Sequence, residues 1–170
     1  MGVRPSESFN FTHPFLREAG MSMIGDDWVA VLGRVQGLTI VFVFAYFLSG
    51  SEFDSENLIR FKQILKLKRV LNLPMILTAD FNKTPQEISD CQWPQLFQGF
   101  VLVPQTKLTC TIGTGRIIDF CLVSSELRGL VKVSVFRGPW KPHLGLVLEV
   151  LRKPGKVMVR KVWTPGPLLG

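Results

Sequence analysis

Two strongly apolar runs of this chain carry a carboxylate where a buried strand would end. Met75-Ile76-Leu77-Thr78-Ala79 leads straight into Asp80, and Asp119 sits within Ile117-Ile118-Asp119-Phe120-Cys121-Leu122-Val123. Runs apolar on both faces read as strands covered on both sides. A carboxylate against such a strand loses its hydration and needs a partner. Two of them on separate strands, joined by Asn82 and followed by His143, imply a shared polar pocket at one edge of a sheet. A divalent cation and a phosphate are the natural occupants of such a pocket.

At 170 residues with 46% apolar content the chain is long enough for one domain with a full core. The apolar stretch 38–48 is far shorter than the roughly 20 residues of a membrane-spanning helix, so it reads as a buried strand and no membrane partner is expected. The N-terminal residues lack an apolar block ahead of a small-residue cleavage site. With three scattered cysteines, Cys91, Cys110 and Cys121, this leads us to expect an unsecreted protein of the nucleus or cytoplasm. The net charge of +7 is uneven: Arg152, Lys153, Lys156, Arg160 and Lys161 crowd the C-terminus with no acidic residue among them. A basic surface of this kind attracts polyanions.

Along the chain, residues 1–25 show no period and are expected to be an irregular, poorly anchored segment. Residues 26–150 carry the domain, and 151–170 form a basic tail. Residues 28–32 and 38–44 predict strands, with 33–37 as the turn of a hairpin. Ser55 is a candidate N-cap for a helix whose apolar residues Leu58, Phe61, Ile64, Leu65 and Leu71 recur at helical spacing. Its basic residues, Arg60 to Arg69, are expected to face solvent, and Pro74 to end it. A strand through 75–79, a short helix and loop over 86–98, and strands at 100–103, 117–123, 131–136 and 144–150 complete an α/β pattern of one layered domain.

Asp80 and Asn82 flank Phe81, and on an extended backbone would point to the same side. Carboxylate and amide oxygens there suit a hard cation, a water or a phosphate oxygen; the same triplet also suits a strand-to-loop turn. His143 is a candidate partner for Asp119, because a carboxylate on one imidazole nitrogen fixes the tautomer and frees the other nitrogen.

These residues carry a resemblance. Ala79-Asp80-Phe81-Asn82 resembles the G-D-F-N motif of the endonuclease/exonuclease/phosphatase family, Ile118-Asp119-Phe120-Cys121-Leu122-Val123-Ser124 its R-I-D-Y-I-L-V-S strand, and Pro142-His143-Leu144-Gly145-Leu146-Val147 its closing S-D-H-x-P-V segment. Ala45-Tyr46 is similar to the family's strand-end tyrosine, and Thr111 with Gly113 and Gly115 to its approach to the Asp strand. The set is in family order over about residues 27–150. The resemblance implies an α/β fold, a partial four-layer αββα sandwich of the DNase I-like kind. It further implies Mg2+ (or Mn2+) near Asp80 and Asn82, and a phosphodiester or phosphomonoester substrate, whether nucleic acid or another phosphate ester. Asp80 would orient or deprotonate the attacking water, Asn82 would hold it, Asp119 and His143 would bind the phosphate as a dyad, and Tyr46 would touch a phosphate oxygen. Thr111, Arg116 and Trp140 become candidate substrate contacts, and a monomer is expected.

The chain also departs from that family. No strand with the family's Asn, and no Glu of its main metal site, is found before Asp27; Pro142 stands where the family has the Asp before its histidine; Ala79 replaces Gly; and Arg116 sits one residue early. The expectation is therefore the C-terminal two-thirds of the fold, a weakly held metal, and weak or absent hydrolysis. The alternative is a non-catalytic, truncated retroelement-derived fragment or a basic nucleic-acid-binding module.

Overall fold

The computed structural model describes residues 16, 22–35, 37–50, 56–139 and 141–151. The expectations for Ser55, for Trp140, for the basic tail beyond 151 and for most of residues 1–21 lie outside the described residues. Among the described residues, eight strands and three multi-residue α-helices follow one another: β1 (Ile24–Gly25), β2 (Trp28–Val35), β3 (Leu38–Tyr46), α1 (Glu56–Leu71), β4 (Met75–Asp80), α2 (Pro85–Asp90), α3 (Trp93–Phe97), β5 (Gly99–Leu102), β6 (Asp119–Ser124), β7 (Val131–Phe136) and β8 (Gly145–Val150). Six strands form one sheet in the order β1-β2-β3-β4-β6-β5, and β7 and β8 form a second.

The sequence explains the layering. In β6 all six residues are buried, as a run without polar alternation requires. On one face of the six-stranded sheet, Val41, Val43, Met75, Leu77, Phe120 and Leu122 pack with Phe61, Ile64 and Leu67 of α1 and with Trp93 and Phe97 of α3. On the other face, Ile40, Ile76, Cys121 and Val123 pack with Val131, Val133, Leu146 and Leu148 of the two-stranded sheet. Each such side chain fully withdrawn from water contributes about 1.5–3 kcal/mol. The result is three layers, helices, large sheet and small sheet, an incomplete form of the expected sandwich. The parallel pairing of β3 with β4 is reached through α1, the crossover that parallel neighbours need.

Several local expectations are corrected. Strand β2 runs on through Gly33 to Val35, because Gly33 leaves room for the Phe42 ring: a Cβ there would lie 2.6 Å from Phe42 Cε2. Gly37, with φ 81°, immediately precedes β3. The N-terminal segment is anchored near its end, since Leu16 and Met23 are buried in the helix-side core and β1 pairs with β2. Helix α1 stops at Leu71, with Asn72 left-handed at φ 48°, before Pro74 is reached. Its basic face is not wholly solvated: Arg60 pairs with Asp27 and Glu56, and Lys68 lies over the Phe97 ring at 5.5 Å. The polar stretch after β4 forms two short helices, the first closed by a capping box between Thr84 and Glu87.

Candidate active site

Register places the site. Tyr46 is the parallel partner of Asp80, and Asp80 is the antiparallel partner of Asp119, so the three stand in one row across β3, β4 and β6. Residues paired in this way share a sheet face and lie one strand spacing, about 4.8 Å, apart. Each is followed immediately by a phenylalanine that points the other way. Phe47, Phe81 and Phe120 are fully buried, with Phe81 stacked on Phe47 at 5.2 Å and on Phe120 at 4.3 Å. Main-chain bonds from Phe47 N–H to the Asp80 carbonyl and from Phe81 N–H to the Ile118 carbonyl stitch the row together. The aromatic stack thus fixes the positions from which the polar side chains emerge.

His143 comes from the loop before β8. Leu144 N–H donates to the Thr109 carbonyl, and the Thr111 N–H and hydroxyl both donate to the Pro142 carbonyl, at 3.0 and 2.9 Å. This tethers the histidine above the row. Its Nδ1 lies 3.0 and 3.2 Å from the two Asp119 carboxylate oxygens, and its Nε2 lies 3.8 Å from Asp80 Oδ2. Thr109, completely buried, accepts hydrogen bonds from the Ile118 and Asp119 N–H groups at 3.0 and 2.9 Å and so holds the start of β6. Burial pushes the Asp80 carboxyl above its ordinary value, and the neighbouring Asp119 charge adds to the effect; the Asn82 N–H and the nearby His143 and Arg116 act against it.

Asp80, Asp119 and His143 therefore converge, each offering one ligand atom within 4.8 Å of the others. Tyr46 joins them by register and is 45% exposed. Asn82 departs from the expected extended geometry. Strand β4 ends at Asp80 and Asn82 is left-handed at φ 50°, so the two side chains do not simply alternate. Its N–H donates to Asp80 Oδ1 at 2.9 Å and its side-chain amide to the Phe47 carbonyl at 2.7 Å. The Asn82 side chain thus ties the end of β3 to the loop after β4. Arg116 is exposed and close enough to act on Asp80 electrostatically. Thr111 spends its hydroxyl on the histidine loop. Thr109 and the phenylalanine stack were missed from the sequence; the repeated pairing of a polar site residue with a following Phe was the available signal.

A carboxylate–imidazole pair beside a second carboxylate thus stands at one end of the large sheet of a layered α/β fold. The chain is similar to the endonuclease domain of TRAS1, a telomere-specific non-LTR retrotransposon (TM-score 0.64, 15% identity, over 76% of this chain and 64% of that one). It is also similar to the cytolethal distending toxin of Haemophilus ducreyi (TM-score 0.53, 19% identity, 88% and 60%). A third is the human Nocturnin catalytic domain with bound sulfate (TM-score 0.51, 12% identity, 72% and 50%). The chain spans between half and 64% of the length of these structures. No family model matches the chain, and no curated protein matches it in sequence. The fold is that of these three structures, carried in part.

Proposed function

We propose that this chain is a metal-assisted phosphoester hydrolase of low turnover, acting on nucleic acid. The observation that carries the reading is His143 held between two carboxylates, Nδ1 on Asp119 at 3.0 Å and Nε2 facing Asp80 at 3.8 Å. Asp119 fixes the imidazole with Nδ1 as donor, and Nε2, in the doubly protonated ring, is the atom that donates to a phosphate oxygen. Asp80, whose carboxyl burial pushes above its ordinary value, orients the attacking water and accepts its proton in the carboxylate form. Tyr46 offers a phenolic hydroxyl to a phosphate oxygen from the next strand, and Arg116 contributes positive potential.

The donor set fits a loosely held Mg2+ or Mn2+. Such ions take one or two carboxylates together with waters and phosphate oxygens, and Asp80 Oδ2 is a carboxylate oxygen facing the cluster. When bound, the cation stabilises charge on the leaving oxygen. With Pro142 in place of the carboxylate before His143, retention of the ion is weak and turnover low.

Incubation with plasmid and with abasic duplex in Mg2+ or Mn2+ tests the reading. Cleavage lost in both Asp80→Asn and His143→Ala supports it, whereas cleavage unchanged in those variants overturns it. No cleavage, with salt-sensitive binding of the same DNA, establishes the rival reading of a non-catalytic, retroelement-derived nucleic-acid-binding module, which the basic residues after 151 favour.

A further inference from the structure

Helix α1 carries Arg60, Lys62, Lys66, Lys68 and Arg69, and the sequence has no acidic residue between Glu56 and Asp80. Two of these cations are engaged in the fold: Arg60 pairs with Asp27 and Glu56, and the Lys68 amine lies over the Phe97 ring. Lys62, Lys66 and Arg69 are exposed. Their spacing of four and then three residues keeps them within an arc of about 60° on the helix. Phe61, Ile64 and Leu67 turn into the core under the sheet, so the three cations form one outward stripe.

The stripe runs away from the polar row. Asn57 holds the Leu48 N–H and carbonyl, which sets the start of α1 beside the end of β3. At its other end Arg69 lies on the wall of a cavity of about 370 Å³, together with Lys68, Asn72, Leu73, Leu96 and Gln98. Pro74 and Glu126, which also line it, fix the cavity before the start of β4 and after the end of β6. The polar row stands at the opposite ends of those strands, about 17 Å away along β4.

We propose that the outer face of α1 is a track for single-stranded nucleic acid, with phosphates along Lys62, Lys66 and Arg69 and one base in the cavity. Single-strand sites combine a basic path for the backbone with an apolar surface for the exposed bases. Leu73 and Leu96 supply that surface, and the Asn72 and Gln98 amides and the Glu126 carboxylate offer hydrogen bonds to a base edge. Glu126 acts against a phosphate inside the cavity, so the phosphates belong on the stripe and a neutral base beside the acid. The volume is at the lower end of the roughly 300–1,000 Å³ of small-ligand sites. A duplex, with its bases stacked and paired, offers the stripe its phosphates and leaves the cavity unfilled.

This inference rests on nucleic acid as the partner but not on hydrolysis. Fluorescence anisotropy of a labelled oligothymidylate, in chelator and across a salt series, compares the full chain with the triple variant Lys62→Gln, Lys66→Gln and Arg69→Gln. All three positions are exposed, and Tm is expected to hold. The slope of log K against log salt is expected to become shallower by roughly 2, since each single-strand phosphate contributes about 0.7. Leu96→Gln, at a half-exposed wall of the cavity, is expected to weaken oligothymidylate binding about fivefold and duplex binding much less. An unchanged slope in the triple variant overturns the track and leaves nucleic acid as a partner of the row and the tail. Equal losses for single strand and duplex in Leu96→Gln overturn the seating of a base. A wild type that binds neither form overturns this proposal and the nucleic-acid reading together.

Discussion

Asp80 is the residue on which stability and chemistry pull in opposite directions. Its carboxyl is raised first by burial and then by Asp119 one strand away. Deprotonation of this acid is therefore less favourable in the folded protein than in the unfolded one. The resulting cost is absent below the ordinary carboxylate pKa of about 3.9. It grows as pH rises through the raised value of Asp80 and is complete above it. An amide in its place keeps an oxygen for the Asn82 N–H and removes that cost. Asp80→Asn is expected to melt above the wild type at pH 7 in chelator, with the advantage shrinking toward zero as pH falls below 4. Thermal denaturation across that range measures it. A wild type more stable than the variant at pH 7 contradicts the assigned balance of burial and charge. Stabilisation by loss of an active-site charge is the usual trade between stability and activity.

At the scale of elements, the site depends on how the loop before β6 grips that strand. Thr109 accepts two N–H groups from Ile118 and Asp119 in a fully buried position. Valine has nearly the same shape but no acceptor, so Thr109→Val leaves both donors unsatisfied and costs about 1–3 kcal/mol. Thr109→Ser keeps the oxygen and retains most of the stability. Denaturant titration of the two variants separates the hydrogen bonds from the packing, and equal losses would show that only the methyl matters. The same junctions explain what could be read from the sequence. The Asp80 and Asp119 strands were legible because apolar runs ending on acids have few other structures open to them. His143 was legible as a partner because Asp119 needed one. Gly33 was misread as a turn because the Phe42 ring that demands it is a cross-strand neighbour. Thr109 was invisible because its donors lie nine and ten residues away across a loop. Asn82 was placed on the wrong geometry because a left-handed residue just past a strand breaks the alternation that sequence reasoning assumes.

Across the whole molecule, the polar row and the positive charge are separate features, and they make separable contributions. The row sits at one end of the large sheet, while Arg152, Lys153, Lys156, Arg160 and Lys161 follow the last described residue of β8's hairpin sheet. If nucleic acid is the partner, the tail supplies affinity through counterion release and the row supplies chemistry. Each phosphate neutralised contributes about −0.9 to the slope of log K against log salt for duplex DNA. Lys153 and Lys156 are the first two lysines of that basic stretch. Lys153→Gln with Lys156→Gln is expected to weaken duplex binding and to make the salt slope shallower by roughly 1–2. His143→Ala is expected to leave that slope unchanged while removing any cleavage. Fluorescence anisotropy of a labelled duplex across a salt series measures both. A slope that follows His143 and ignores the two lysines would place the phosphate contacts at the sheet end, making one surface responsible for binding and for chemistry alike.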